Sequence, residues 1–380
     1  VSRGTIRQDR ERKTWYFVVD LQQPGNPRKQ AKRRGFRTKR DAEDALQRLL
    51  LDNNARRQAG ATRITLNEFL EHHWLPTKAP SVRPATLHGY RKVIENSVNP
   101  ALGQRRLSTI TRRDLEQLYA ALATGGGRNG QALAPKTIRN IHGVIHGALA
   151  DAVNWEMIPA NPAHRAKVSR VIPKEMTAWT EDEANRFLSH VQHSERFWIW
   201  RLLLATGMRR GELCGLSWTD INFVKGEISI RGTRVVADTV VDGPTKTAAG
   251  RRTNSLDRAT LTALRQHRDD WRAYLNQIEA PFDPEAFVVL GPNGRPPHPE
   301  TVSRWWRTDV QAAGVPRIRL HDARHTAASI MLRNGVPLKM VSERLGHADV
   351  AITMRTYQHV TQNDDRAAAE VLGRVLGGAA

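Results

Sequence analysis

Apolar positions near the start of the chain follow first a period of two and then a helical period. Trp15-Tyr16-Phe17-Val18-Val19 predicts a strand, Pro24-Gly25-Asn26-Pro27 a turn, and Lys29–Arg37 a second, strongly basic strand. Thr38 with Asp41 three residues on makes a capping box ahead of Ala42, Ala45, Leu46, Leu49 and Leu50 at helical spacing. A helix should therefore cover one face of a small sheet and leave the other face open.

Asn53–Thr62 is polar and predicts a linker, after which Leu66, Phe69, Leu70, Trp74 and Leu75 begin a helical region. Thr111 and Asp114 form another capping box before Leu115, Leu118, Tyr119 and Leu122. Gly125-Gly126-Gly127 breaks that helix, and Thr137 is expected to cap the next, through Ile141, Val144, Ile145, Ala148, Leu149 and Val153. Pro159–Glu175, with Pro159, Pro162 and Pro173 among His164, Arg165, Lys167 and Arg170, predicts an extended connector suited to following a phosphate backbone. A third capping box, Thr180 with Glu183, opens the last unit. There Glu227–Val241 is rich in β-branched residues, Asp242-Gly243 predicts a turn between short strands, and helices return from Leu256. The boundaries that follow are 1–55, 62–160 and 174–380. Of the tryptophans, Trp15 alone is a candidate for reading a groove rather than packing a core.

Charge turns this outline toward a polyanionic partner. The chain has 380 residues and a formal net charge of +21, from 59 Lys and Arg against 38 Asp and Glu. Residues 1–60 carry 16 basic and 7 acidic side chains and residues 61–170 carry 15 and 7, against 28 and 24 over 171–380. Such an excess, concentrated at the front, points to nucleic acid, with a more balanced unit behind it as the candidate for catalysis. No run of apolar residues is long enough to span a membrane; Phe197–Ala205 is interrupted by Arg201. No charged-then-apolar leader opens the chain, and the single Cys214 excludes an internal disulfide, so a reducing cytoplasm is expected.

Chemistry concentrates in three segments: Ala205-Thr206-Gly207-Met208-Arg209-Arg210-Gly211-Glu212-Leu213, His321-Asp322-Ala323-Arg324-His325-Thr326, and Leu345-Gly346-His347 followed by Tyr357. Together, in this order and with Lys246 between the first two, they resemble the tyrosine recombinases, the phage integrase family. The resemblance runs from about residue 62 to the end, and the basic front resembles the arm-binding domain that many phage integrases add. It implies a multidomain α+β fold: a small three-stranded sheet plus helix, a helical core-binding domain, and a mixed α/β catalytic domain, closing around DNA as a C-shaped clamp.

A phosphodiester repels nucleophiles, so an enzyme without a metal needs fixed cations where charge develops; a guanidinium binds two phosphate oxygens and stays charged. Arg209 and Arg324 are expected to hold the scissile phosphate, and Tyr357 to attack phosphorus, storing the bond energy in a 3′-phosphotyrosyl link so that no ATP is needed. The resemblance implies that His321 manages the tyrosine proton, that Lys246 in Pro244-Thr245-Lys246-Thr247 protonates the leaving 5′ oxygen, and that His347 hydrogen-bonds the phosphate and buttresses Tyr357. Glu212, one turn after Arg209, should orient it, with Asp322 in a similar structural part. Candidate DNA contacts are Arg28, Lys29, Lys32, Arg33, Arg34, Arg37 and Arg139.

A zinc site built on His321 and His325 fails because Asp322 replaces the motif's Glu and Arg324 would set a positive charge beside the metal. His142 and His146 share the spacing and are read as core or DNA-facing. No cofactor or metal is expected. The partners implied are double-stranded DNA with core-type and arm-type sites, three further protomers in a homotetramer, a DNA-bending host factor and an excisionase. Ala367, Ala368, Val371, Leu372, Val375 and Leu376 form an apolar stripe suited to docking on a neighbour. Competing readings are a type IB-like topoisomerase, which the basic front argues against, and a non-catalytic DNA-binding regulator, which the intact set of six residues argues against.

Overall fold

A computed structural model of the chain describes residues 4–9, 14–20, 30–61, 63–127, 130–171, 177–244, 250–357, 372–374 and 376. At the front, β1 (Thr5–Asp9), β2 (Thr14–Asp20) and β3 (Gln30–Phe36) form an antiparallel sheet in that order. Phe17 and Val19 of β2 are buried against Leu46 of α1 (Lys39–Ala61), while Thr38 and Asp41 exchange the two hydrogen bonds of the capping box at 3.1 Å. The linker expected over Asn53–Thr62 is a continuation of α1 to Ala61. Ala55, Arg56, Arg57, Gln58 and Ala59 are good helix formers, and the stretch holds no proline, so polarity there does not break the helix. The turn expected at Pro24–Pro27 lies outside the described residues.

A separate helical core follows. The stretch from Leu66 to Lys78, π-wound over Phe69–Trp74, packs with α2 (Pro84–Val93), α3 (Arg112–Thr124) and α4 (Pro135–Asn154) around Phe69, Trp74, Leu115, Ile141 and Leu149. Burying each such side chain contributes about 2 kcal/mol. Thr111 caps α3 as expected, and Gly125 ends it. Thr137 does not cap α4; Pro135 stands at its first position after Ala134, because proline has no N–H to satisfy and its φ already suits a helix.

Residues 174–380 form a second compact unit. Helices α5 (Glu181–His190), α6 (Phe197–Thr206) and α7 (Arg210–Cys214) lead into β4 (Ile221–Asn222), β5 (Glu227–Ile230), the hairpin β6 (Gly232–Val236) and β7 (Val240–Pro244), and β8 (Arg252–Ser255). Strands β4, β5 and β8 make one antiparallel sheet and β6 and β7 another. The hairpin turns at Ala237–Thr239, with Val236 opposite Val240; the expected Asp242-Gly243 turn lies within β7, where Gly243 pairs with Thr233. Turn propensity at Asp-Gly yields here to a ladder of β-branched pairs, Val235 to Val241 and Val236 to Val240.

The unit ends in α8 (Arg258–Gln277), α9 (Pro299–Ala312), α10 (Asp322–Arg333), α11 (Leu338–Leu345) and α12 (Val350–Tyr357). Trp179, Trp200, Trp306 and Phe187 fill its core, and Asp309 of α9 accepts hydrogen bonds from Trp200 at 2.7 Å and from Nε and Nη2 of Arg196. Helix α7 lies so close to β6 that a Cβ on Gly211 would come 2.5 Å from Thr233 Oγ1. That contact ties the first residues of α7 to the hairpin preceding Lys246.

Candidate active site

The end of α6 places two arginines at once. Gly207 stops the helix in the left-handed region, at φ 61°, and a Cβ there would come 2.4 Å from Leu345 Cδ2, so only glycine suits. Its carbonyl accepts from Arg324 Nη1 at 2.8 Å. Two residues on, Arg209 sits at the N-cap of α7, where Glu212 accepts its backbone N–H at 2.9 Å and its Nη1 at 2.7 Å. The predicted orientation of Arg209 by Glu212 is thus met through backbone and side chain together.

Glu212 also holds Arg252 of β8, whose Nη2 donates to it at 2.9 Å; the two side chains are 3% and 7% exposed. Burial alone would raise the Glu212 pKa, but the Arg252 hydrogen bond and charge, and then Arg209, hold it below the ordinary glutamate value. The C-terminus of α11 closes the network. Its Arg344 carbonyl accepts from Arg252 Nε at 2.7 Å and from Asn254 at 3.1 Å, and the Gly346 carbonyl receives Arg209 Nη2 at 3.4 Å.

Arg324 of α10 is buried, yet its Nη2 has no hydrogen-bond partner among the described residues. Loss of hydration, then the Arg209 charge, pushes its pKa down to about 9, which leaves it charged at neutral pH. A buried guanidinium arm without an acceptor is costly unless an anion supplies one.

Histidines and the tyrosine surround this cation pair. His321, just before α10, is exposed; its pKa is depressed by loss of hydration on its protein side and by the Arg324 charge. His347 Nδ1 lies 2.6 Å from the hydroxyl of the buried Thr353, and burial followed by the Arg324 and Arg209 charges pushes its pKa down to about 4. Tyr357, at the end of α12, is 1% exposed, and its Oη lies 2.6 Å from Nδ1 of His325. Burial raises the phenol pKa, opposed by the Arg324 charge. Arg209, His321, Arg324, His347 and Tyr357 are therefore brought together, while Lys246 lies outside the described residues. Asp322 pairs with Arg319 at 2.7 Å and so organises the turn before α10 rather than a catalytic side chain.

Beside the cation pair runs a groove of about 890 Å³ lined by Arg209, Arg210, Ser303, Arg307, Arg317, Arg319 and His321. Four further arginines around the proposed phosphate position suit a polyanion passing through. Among the described residues no group of three or more His, Cys, Asp and Glu could hold a metal. In the front sheet, exposed Lys32 and Arg34 pair across the strands with Val18 and Tyr16, on the face away from α1, and Lys32 Nζ lies 4.9 Å from the Tyr16 ring centroid. Arg33 pairs with the buried Phe17, which directs it to the other side of the sheet. Arg37 and Arg139 are exposed; Arg28 and Lys29 lie outside the described residues.

Three family models match the chain: the phage integrase family over residues 178–364, an arm DNA-binding domain over 5–52, and the phage integrase N-terminal SAM-like domain over 65–123. The chain belongs to the phage integrase family. It is 27% identical over 337 residues to a XerC-like tyrosine recombinase of Caldanaerobacter subterraneus subsp. tengcongensis, covering 81% of this chain and 83% of that one. The fold of this integrase matches that of the Tn1549 transposon integrase in complex with transposon right-end DNA, with a TM-score of 0.67, 21% identity, and coverage of 81% and 99%. It also matches the lambda integrase tetramer bound to a Holliday junction, with a TM-score of 0.57, 16% identity, and coverage of 90% and 95%. The expected α+β architecture and the tyrosine recombinase assignment hold.

Two residues of the integrase site have parts that the sequence alone does not assign. Arg252 stands among neighbouring basic residues of a loop-like segment, and only the strand β8 aims it at Glu212. His325 enters the sequence argument only as a metal ligand. Its place immediately after Arg324, one turn beyond His321, is a usable signal that it faces the same site.

Proposed function

We propose that this integrase cleaves and rejoins double-stranded DNA at specific sites by attack of Tyr357 on a phosphodiester held between Arg209 and Arg324. The observation that carries the reading is Arg324, a buried cation with one guanidinium arm unpartnered among the described residues, close enough to Arg209 and Tyr357 to feel their charge. A phosphate oxygen would satisfy that arm and would gain most as charge develops in the transition state. Arg209 supplies the second fork, oriented by Glu212. His347, neutral at physiological pH, would accept a hydrogen bond from the Thr353 hydroxyl at Nδ1 and present its other ring nitrogen as a donor to the phosphate. Lys246 is assigned the proton for the leaving 5′ oxygen.

The integrase would act as a homotetramer on core-type sites, exchanging one strand of each duplex and then the other, while the front sheet binds arm-type sites. Leu372 and Leu376 are 58% and 74% exposed, which suits docking on a neighbouring protomer. A second DNA-binding head calls for bent DNA to bring arm and core together, hence a DNA-bending host factor and an excisionase as accessory partners. No helix among the described residues is long and apolar enough to cross a membrane; work at the bacterial nucleoid is the setting proposed.

The test is a nicked suicide substrate that traps the covalent intermediate. The wild-type protein should form an adduct and Tyr357→Phe should bind DNA equally and form none. A phosphotyrosyl adduct in that variant would remove the nucleophile assignment. A two-duplex assay separates recombination from relaxation by a type IB-like topoisomerase.

A further inference from the structure

We propose that His325, rather than His321, is the catalytic residue that accepts the phenolic proton of Tyr357; this rests on the reading of Tyr357 as nucleophile. A buried phenol must place its proton on an acceptor, and among the described residues the hydrogen-bond partner of Tyr357 is Nδ1 of His325, at 2.6 Å. His321 stands off from this contact. Its ring meets His325 edge-on at 5.3 Å and is exposed, which suits contact with the incoming phosphate.

The groups around His325 keep it ready to receive a proton. Its own helix and the preceding turn present His321, Asp322, Arg324 and Arg319, α12 presents Tyr357, and the turn after α11 presents His347, with which it is charge-coupled. Loss of hydration, then the His321 and Arg324 charges, pushes its pKa down to about 4. In the free protein it is therefore neutral at pH 7, and in the tautomer proposed, with the proton on Nε2, Nδ1 is left as the acceptor for the phenol. Once DNA is bound, the negative charge that grows on the transferring phosphoryl group favours the imidazolium and raises its basicity during attack.

The step balances. The Oη–H bond of Tyr357 breaks as a bond forms between that proton and Nδ1. The freed oxygen electron pair forms P–Oη, and the P–O5′ bond breaks with its pair on O5′, which takes a proton from the acid assigned to Lys246. On rejoining, the 5′ hydroxyl returns its proton to the residue assigned as acid, Lys246, as P–O5′ forms; P–Oη breaks, and the His325 proton returns to Oη.

Single-turnover cleavage of the suicide substrate between pH 5 and 9 tests this with His325→Ala, His325→Asn, His321→Ala and Tyr357→Phe in the full chain. His325→Ala should slow adduct formation by about a hundredfold, the lower scale of general base catalysis, with DNA affinity preserved. Its rate should climb with pH more steeply than wild type as hydroxide replaces the missing base. Sulfur in place of the bridging 5′ oxygen makes a leaving group that needs no proton, and it should leave the His325→Ala defect intact. His325→Asn keeps an acceptor near Nδ1 but cannot hold a proton, so it too should be slow; it carries the test if the alanine variant fails to bind DNA. Rates within about threefold of wild type, rescue by the 5′ sulfur, or full recovery in His325→Asn would each overturn the proposal. An adduct on Tyr357→Phe would instead remove the nucleophile reading beneath it.

Discussion

Arg252 Nη2 donates to Glu212 Oε2 at 2.9 Å in a pair almost closed to solvent, and the same carboxylate accepts Arg209 Nη1 at 2.7 Å. One buried anion thus neutralises a structural cation from β8 and orients Arg209, the cation proposed to bind phosphate, at the start of α7. Removing it leaves Arg252 desolvated and unpaired, a loss of about 3–5 kcal/mol where a single partner of a buried pair is deleted. Glu212→Ala should therefore lower the urea midpoint of residues 174–380 and slow cleavage as Arg209 loses its hold. The double variant Glu212→Gln with Arg252→Met should recover much of the stability and little of the activity. If both variants keep normal cleavage, Arg209 does not depend on Glu212.

Arg324 offers a sharper test of the phosphate site. Nη1 is committed to the Gly207 carbonyl at 2.8 Å and Nη2 has no partner among the described residues, a division of labour that one ammonium cannot copy. Arg324→Lys should slow cleavage at least about a hundredfold, the scale of losing one preorganised donor to developing charge, with DNA affinity nearly unchanged. Because the charge comes from guanidinium groups, wild-type cleavage should persist in excess chelator. An activity abolished by EDTA and restored by a divalent ion would contradict this.

Much of the molecule is legible in sequence because it is local. The capping boxes at Thr38, Thr111 and Thr180 are set by residues three apart, and the structure forms each of them. The order Arg209, His321, Arg324, His347, Tyr357 similarly declares the family before any contact is known. What stays hidden depends on distance in the chain. His325 and Tyr357 are separated by 32 positions, and their contact exists only because α10 and α12 converge. Arg252 and Glu212 are 40 positions apart, and nothing in the Arg251-Arg252 pair says which one turns inward. The Asn53–Thr62 linker and the Asp242-Gly243 turn fail for another reason: local polarity and turn propensity are outweighed by helix propagation and by strand pairing.

The site histidines also predict how stability responds to acid. His325 and His347 have pKa values pushed down to about 4, and His321 and, outside the site, His267 stacked on Trp198 are lowered as well, against about 6.5 in an unfolded chain. Below about pH 6.5 the unfolded state then binds more protons than the folded one, so stability falls as the pH drops toward 4 and is fully present above 6.5. Unfolding midpoints measured from pH 7.5 to 4.5 should decline, and His347→Gln should flatten the decline by removing one such group. A midpoint unchanged across that range would mean that these rings titrate normally in the folded protein.

The front sheet yields a prediction with an internal control, since its basic residues divide between two faces. Lys32 and Arg34 project with Tyr16 away from α1, where Lys32 Nζ lies 4.9 Å and Arg34 Cζ 5.8 Å from the Tyr16 ring centroid. Arg33, opposite the buried Phe17, projects to the other side. If the open face grips arm-type DNA, removing one phosphate-binding cation should reduce the slope of log affinity against log salt by about 0.9. The double variant Lys32→Ala with Arg34→Ala should thus bind arm-type DNA more weakly and with a slope shallower by nearly two, whereas Arg33→Ala should change neither much. Both variants should cleave a core-type suicide substrate normally, because Arg209, Arg324 and Tyr357 are untouched. A larger loss from Arg33→Ala than from the double variant would mean that DNA meets the sheet from the side of α1.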